Sequence, residues 1–233
     1  DLAPLAHCAL ALTGEGTVID AGRERPAAEA LEGHGLAPVA LAEKEGLALI
    51  NGTDGMLGML VLALADLELL LDTADLAAAL SVEGQLGTDR TFAADLMALR
   101  PHPGQATSAA NLRRFLAGSP ILESHRVGDG VVQDAYSLRC SPQVHGSVRD
   151  AIGYATLVAE RELAAAIDNP SVMDDGRVES HGNFHGAPVA HVLDFLAIGV
   201  ADLAGISERR TDRFLDVARS RGLPPFLADD PGI

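Results

Sequence analysis

Three polar side chains of different chemistry follow one another at three-residue intervals: Gln133, Tyr136 and Arg139. On a helical turn, residues at this spacing share one face, so the sequence predicts that the three point into the same space. Arginine can grip a carboxylate through two hydrogen bonds, tyrosine can give or take a proton, and glutamine can both donate and accept. The alternative is an exposed polar helix face. The run from Cys140 to Gly146 is too irregular for a solvated surface helix, which favours a site.

A second candidate is Asn51, which directly precedes a long helical pattern. An amide at a helix entrance can be a plain N-terminal cap, because its oxygen can accept from the first free backbone N–H groups. It can equally serve a site as both donor and acceptor. The residue alone leaves both interpretations open.

A third candidate segment surrounds Phe184. His181 and His185 are four residues apart there, a spacing found in some metal sites. Gly182 and Gly186 argue against a regular helix, and no third ligand has suitable spacing. The sequence therefore predicts no metal site, and a structural role for His181.

The elements that must position these residues are almost all helical. Apolar residues recur at helical spacing in long, Ala- and Leu-rich stretches, while turn residues around Thr17 predict a small hairpin or irregular flap. Acids fall between the apolar positions of the longest early helix. The helices are predicted over 4–12, 26–32, 57–80, 91–99, 105–116, 147–167 and 187–215, with a loop over 121–132.

The fold class that follows is all-α: a long-helix bundle with a small flap near the N-terminus. The whole of 1–233 is predicted to form part of one larger catalytic helical domain. Within it, 13–45 is a small flap and short-helix insertion, and 46–233 is the helical-bundle core. Because the sequence begins without Met and ends abruptly, we expect it to be a piece of a longer protein. Such apolar helices also predict an oligomer.

Composition argues against several classes of partner. The formal net charge of −16 offers no cationic patch to nucleic acid or to an anionic membrane surface, so neither is expected as a partner. The longest uninterrupted apolar run, from Gly55 to Ala65, is too short to cross a bilayer. Cys8 and Cys140 are far apart and lack metal-type spacing, which is typical of a reduced cytoplasmic protein.

Six separated motifs resemble the aromatic amino acid ammonia-lyases, and most of all the histidine-specific members of that family. The resemblance covers essentially all 233 positions, which would be a little under half of a full family member. The motifs lie at 1–7, 45–53, 100–105, 133–146, 180–188 and, taken together, 208–210 and 223–227.

The resemblance implies a prosthetic group and a role for each candidate residue. Family members carry a methylidene-imidazolone formed from an Ala-Ser-Gly tripeptide, which would immediately precede Asp1 and is absent from this sequence. Asp1 and Phe184 would then lie beside the group, and Arg139 would hold the substrate carboxylate. The remaining candidates, Tyr136, Gln133 and Asn51, would contact the group and the substrate, Asn51 at the amine or the ring oxygen. The proposed base, a tyrosine, would lie upstream of the chain.

The implied activity of the full-length protein is non-oxidative elimination of ammonia from L-histidine to give urocanate, the first step of histidine degradation. The combined length and apolar width of the long helices predict a homotetramer with sites shared between chains, in keeping with the cytoplasmic location that the cysteines indicate. The isolated 233-residue fragment is expected to be inactive. Ala187 stands where many histidine-specific members have Glu, so a tyrosine or phenylalanine ammonia-lyase or 2,3-aminomutase remains an alternative. A non-catalytic helical scaffold fragment is the alternative from a different class.

Overall fold

The computed structural model describes residues 2–230, so Asp1, a predicted neighbour of the prosthetic group, lies outside the described residues. The architecture is the predicted one, a mainly helical chain with small antiparallel hairpins. In chain order the elements are α1 (Leu2–Leu12), β1 (Thr17–Asp20), β2 (Arg23–Pro26), α2 (Ala27–Gly33), α3 (Glu45–Ala48), α4 (Asp54–Gly84), a 3-10 turn (Arg90–Phe92), α5 (Ala94–Ala98), α6 (Pro103–Phe115), α7 (Pro120–Ser124), α8 (Tyr136–Arg139), α9 (Ser141–Leu163), β3 (Ser171–Val172), β4 (Val178–Glu179), α10 (Ala187–Leu215) and a second 3-10 turn (Pro225–Leu227).

The long predicted helices are confirmed, and α10 has the predicted bounds. The predicted flap is the hairpin of β1 and β2, in which Thr17 pairs with Pro26 and Asp20 with Arg23. A second, shorter hairpin of β3 and β4 was not foreseen.

Two local predictions are wrong. The segment predicted as a loop over 121–132 begins with α7, because Ser119 caps that helix by accepting a hydrogen bond from the Leu122 N–H, and Pro120 occupies the first turn. The Ser-Pro pair therefore starts a helix rather than ending one. The helix predicted over 147–167 begins earlier, since α9 starts at Ser141 and includes the buried His145 and Gly146. The prediction over 91–99 is confirmed only in part, because Ala93 is non-helical and divides the stretch.

The chain divides into two compact units, each described by itself. The first contains the described residues up to Leu62 together with Val158–His191. Its apolar interior includes Leu57 and Leu60 of α4. At the start of α4, the buried Thr53 hydroxyl donates a 2.6 Å hydrogen bond to Oε1 of Glu162, near the end of α9. Lys44 forms an ion pair with Asp168 in the same unit.

The second unit contains Ala63–Leu157 and the described residues from Val192 onward, and it holds the larger core. Helices α6 and α9 come into backbone contact there, because a Cβ on Gly104 would collide with the carbonyl oxygen of Gly146. Only glycines allow this approach. The buried apolar cluster comprises Ala78, Ala79, Val82, Phe92, Met97, Ala109, Leu112, Leu116, Leu122 and Leu138.

Helix α10 is the one helix within residues 2–230 whose length and apolar composition would suffice to cross a membrane. A core helix of a soluble protein satisfies the same criterion. Counting uninterrupted apolar residues did not single it out, because Asp194 and Asp202 divide its apolar sequence. Val189, Val192, Leu196 and Leu203 are its buried apolar residues.

Candidate active site

The turn that carries two of the predicted site residues is the short helix α8. It follows Ala135, whose backbone is extended, and it consists of only four residues, Tyr136–Arg139. Gln133 lies outside the helix, in the chain leading to it. The prediction that Gln133, Tyr136 and Arg139 share one face of a helical turn is therefore wrong for Gln133, because the helix begins three residues later.

Gln133 and Arg139 nevertheless meet at a cavity of about 400 Å³ in the second unit. The turn at Gly87 and the segment after α7 form the rest of its wall. A carboxylate oxygen of Asp134 accepts a 2.7 Å hydrogen bond from the Thr88 N–H, which joins the Gln133 segment to the Gly87 turn. The cavity thus depends on residues far apart in the sequence.

Arg139 offers this cavity a guanidinium that is free to bind an anion. Its guanidinium carbon lies 4.7 Å from the centre of the Tyr136 ring, a cation–π contact that orients the guanidinium plane. Within residues 2–230 its side chain makes no ion pair or hydrogen bond, and its buried Nε is without a partner. Arg126, in the same wall, instead pairs with Glu123 and Asp89, and these acids raise its pKa. A ligand carboxylate would satisfy the donors of Arg139.

Tyr136 borders a different cavity from the one that Arg139 and Gln133 line. Its side chain is largely exposed, and it faces a cavity of about 730 Å³ together with Cys140, Val144 and Ile206. The phenol makes no hydrogen bond within the described part of the chain. Only the ring contact links Tyr136 to Arg139, so the hydroxyl remains available to a ligand or to another chain.

The second unit also holds a buried charged network that the helical pattern of the sequence does not predict. Asp75 of α4 was predicted among the acids between the apolar positions, but its side chain is completely buried. It accepts hydrogen bonds of 2.7 Å from Nδ1 of His145, 2.9 Å from Asn111 and 2.8 Å from Arg149. Burial would raise the pKa of Asp75, but these hydrogen bonds together hold the pKa below its ordinary value. The available signal was an acid within an apolar helix and two basic residues four apart on α9.

Asn51 belongs to the first unit and does not cap a helix. Helix α4 begins at Asp54, so the residue directly before the helix is Thr53. The interpretation of Asn51 as an N-cap is therefore wrong. Its carboxamide is half-buried and makes no side-chain hydrogen bond within residues 2–230. An amide in this state keeps both its donor and its acceptor for a ligand.

Phe184 also belongs to the first unit, in the turn that precedes α10. This turn packs against the start of α4, because a Cβ on Gly186 would lie 2.8 Å from the sulfur of Met56. The segments of Asn51 and Phe184 therefore adjoin. His181 nearby has a partner at each ring nitrogen: Nε2 is 2.6 Å from the Ser171 hydroxyl, and Nδ1 accepts from the Asn183 N–H. Both ring nitrogens thus have partners within the described residues, as expected for a structural histidine.

The chain matches the model of the family described as aromatic amino acid lyase over residues 1–233. It is 65% identical to the histidine ammonia-lyase of Streptomyces coelicolor, covering 100% of this chain and 46% of that protein. It is 54% identical to the histidine ammonia-lyase of Deinococcus radiodurans, covering 100% of this chain and 44% of that protein. The chain thus spans about half the length of these relatives.

Solved structures show the same fold. The tyrosine aminomutase of Streptomyces globisporus superimposes with a TM-score of 0.90 at 38% identity, over 100% of this chain and 48% of that one. The histidine ammonia-lyase of Trypanosoma cruzi superimposes with a TM-score of 0.86 at 40% identity, over 100% of this chain and 44% of that one.

Proposed function

The chain belongs to the aromatic amino acid lyase family, and we propose that the full-length protein eliminates ammonia from L-histidine to give urocanate. The observation that carries this proposal is the guanidinium of Arg139, which is oriented on the Tyr136 ring and has no carboxylate partner within the described residues. The choice of histidine is supported by the names of the relatives that share 65% and 54% identity with this chain.

Arg139 is proposed to bind the substrate carboxylate. A planar guanidinium can donate two parallel hydrogen bonds to the two oxygens, which fixes the orientation of the amino acid as well as its position. Gln133, on the wall of the same cavity, would contribute a donor or an acceptor to the bound substrate. Tyr136 would hold Arg139 through its ring and offer its free hydroxyl to the substrate or the prosthetic group.

The residues of the first unit fit the prosthetic group of the family. A methylidene-imidazolone presents a ring oxygen, and the carboxamide of Asn51 has no other hydrogen-bond partner within residues 2–230. Phe184 is partly exposed in the adjoining turn and could pack against a flat ring. We therefore propose that Asn51 and Phe184 hold this group, which would form from residues preceding Asp1. When present, this group supplies an electron sink. The elimination requires one because the proton to be removed is weakly acidic and the amine is a poor leaving group.

We further propose that the full-length protein is a cytoplasmic homotetramer with sites shared between chains. Large apolar side chains stand exposed on the long helices, including Met59, Leu62 and Leu69 of α4 and Ile198 of α10. Burying such faces against further copies would remove them from water. The chain alone, which spans about half of its relatives, is expected to be inactive.

A second candidate is the corresponding lyase or 2,3-aminomutase acting on tyrosine or phenylalanine. The structural likeness to a tyrosine aminomutase favours it, as does Ala187, which takes the place of a Glu in the histidine-specific pattern. The non-catalytic scaffold remains the alternative of another class.

One assay distinguishes the three possibilities. Purified full-length protein is first checked for the ultraviolet absorbance of the prosthetic group, then incubated with L-histidine, L-tyrosine and L-phenylalanine. The expected result is a conjugated product from histidine alone. A conjugated acid from tyrosine or phenylalanine, or a β-amino acid detected by chromatography, would support the second candidate as a lyase or an aminomutase respectively. A protein that carries the prosthetic group and converts none of the three would contradict the proposed function.

A further inference from the structure

A buried guanidinium lies directly behind the turn that carries Tyr136 and Arg139. Arg210, on α10, donates from Nη1 to the carbonyl oxygen of Ser137 at 3.3 Å and to the hydroxyl oxygen of Ser141 at 3.1 Å. Ser137 lies within α8 and Ser141 is the first residue of α9. A single side chain therefore ties the two helices together where they meet.

Placing this charge inside the protein is unfavourable. Arg210 is only 3% exposed, and its second nitrogen, Nη2, is buried without a hydrogen-bond partner. Burial lowers its pKa to about 10, and the negative charge of Asp75 opposes this effect. The guanidinium is thus still charged at neutral pH, with its charge balanced by the buried carboxylate. A protein with an apolar residue of similar size at such a position is often equally stable, so stability alone does not explain the presence of a charged group.

The reason lies in the shortness of α8. A helix of one turn is not stable by itself, so its orientation depends on what holds it. We propose that Arg210 is a positioning residue for binding of the substrate carboxylate, and that it acts through Arg139 by fixing the α8 turn. This inference rests on the proposed function. A bidentate fork accepts a carboxylate in a narrow range of geometries, and a displacement of about 1 Å can cost up to about 10²-fold in rate.

The test is a double-mutant cycle in the full-length protein. Arg210→Lys keeps the buried charge, but the lysine nitrogen ends one bond short of the position of Nη1, the atom that donates to both acceptors, so it cannot reach the two of them in the same way. We expect kcat/KM for the amino acid that the wild type converts to fall by about tenfold, mainly through KM. In an Arg139→Lys background, Arg210→Lys should lower kcat/KM by less than about twofold, because position 139 then has no planar guanidinium for Arg210 to orient.

An additive cycle, with the tenfold loss unchanged in the Arg139→Lys background, would overturn the positioning role. A purely structural arginine would give that result. Ser141→Ala provides a milder variant in case Arg210→Lys does not fold, since it removes one acceptor and keeps the guanidinium. It should raise KM in the same direction and to a smaller extent, and an unchanged KM would contradict the proposal.

Arg114→Lys is the matched control. Arg114 lies on α6 in the same unit, is exposed and lines neither of the two cavities described above, so the same chemical change should leave KM and kcat unaltered. A loss equal to that of Arg210→Lys would show a general sensitivity to replacement of arginine by lysine and would count against the proposal. Absence of turnover by the wild type would overturn the proposed function itself. Turnover with an additive cycle would overturn only the role of Arg210.

Discussion

Asp75 and His145, which are 70 residues apart, form a 2.7 Å hydrogen bond between two completely buried side chains. Because the carboxylate can only accept, Nδ1 of His145 is the donor. The opposite ring nitrogen, Nε2, is buried without a partner in the part of the chain that the structure describes. The same carboxylate accepts from Arg149, and its negative charge also acts on Arg210. Asp75 is thus the shared anion of three basic side chains, His145, Arg149 and Arg210.

Asp75→Asn should therefore destabilise the protein strongly. Removing one partner of a buried ion pair typically costs about 3–5 kcal/mol, because the remaining charge stays buried without compensation. The check is the melting temperature of the full-length protein. Asp72→Asn is the matched control, since Asp72 also accepts from Arg149 at 2.8 Å but is 67% exposed. Loss of the Asp72 carboxylate should lower the free energy of unfolding by no more than about 1 kcal/mol. Equal decreases in melting temperature for the two variants would show that the contribution of Asp75 to stability does not depend on its burial.

The stabilisation by Asp75 should depend on pH in a defined direction. Its folded-state pKa is lowered from the ordinary value of 3.8, so the carboxylate stabilises the native state fully above that value. The contribution is lost as pH falls through the lowered pKa, where the folded protein also takes up the proton. The difference in melting temperature between wild type and Asp75→Asn should thus be constant near neutral pH and shrink below the ordinary value. A difference that persists unchanged under strongly acidic conditions would show that the charge is not its source.

Arg139→Lys should weaken substrate binding and turnover. A point charge replaces a planar fork, and losing one charge-assisted hydrogen bond costs about 1.5–3 kcal/mol, or roughly 10- to 100-fold in kcat/KM. Arg114→Lys is a suitable control, because Arg114 lies 5.3 Å from the centre of the Phe115 ring in a similar cation–π contact on an exposed surface. Steady-state kinetics on both variants decide the question. If Arg139→Lys stayed within about twofold of the wild type, Arg139 would not be the carboxylate anchor.

Tyr136→Phe separates the ring from the hydroxyl. The ring contact with Arg139 is kept, and the exposed hydroxyl makes no hydrogen bond within residues 2–230, so the melting temperature should not change. If the hydroxyl positions or relays a proton in the transition state, kcat should fall by roughly 10²–10⁴. Both quantities are to be measured on one preparation, after its prosthetic-group absorbance has been checked. A normal kcat would show that Tyr136 contributes only its ring contact with Arg139.

Asn51→Ala should reduce activity without unfolding the protein. Its carboxamide contributes no intramolecular hydrogen bond within the described residues, so the stability should change by no more than about 0.5 kcal/mol. Thr53→Ala serves as the comparison, because this variant is expected to lose stability. The Thr53 hydroxyl is buried and donates to Glu162, so its removal should lower stability by about 1–3 kcal/mol. Calorimetry and kinetics on the two variants provide the test. A strongly lowered melting temperature for Asn51→Ala with normal turnover would return Asn51 to a structural role.

The sequence by itself determined the helical elements of this protein. The bounds of α10 were predictable because a period of 3.6 residues is a local signal that persists over the whole helix. The start of α7 is also encoded locally, in the cap residue Ser119 and in Pro120, although the polar character of 121–132 predicts a loop there. The candidate residues Arg139 and Asn51 were recognisable because their motifs resemble those of a known family.

Only the tertiary structure decided which polar groups are buried and what they contact. Asp72 and Asp75 are acids of the same apolar helix, yet Asp75 is enclosed and Asp72 is exposed. The difference comes from Asn111 and His145, which reach Asp75 from other helices. Burial and hydrogen bonding depend on contacts between residues distant in the chain, and helical periodicity carries no information about those partners.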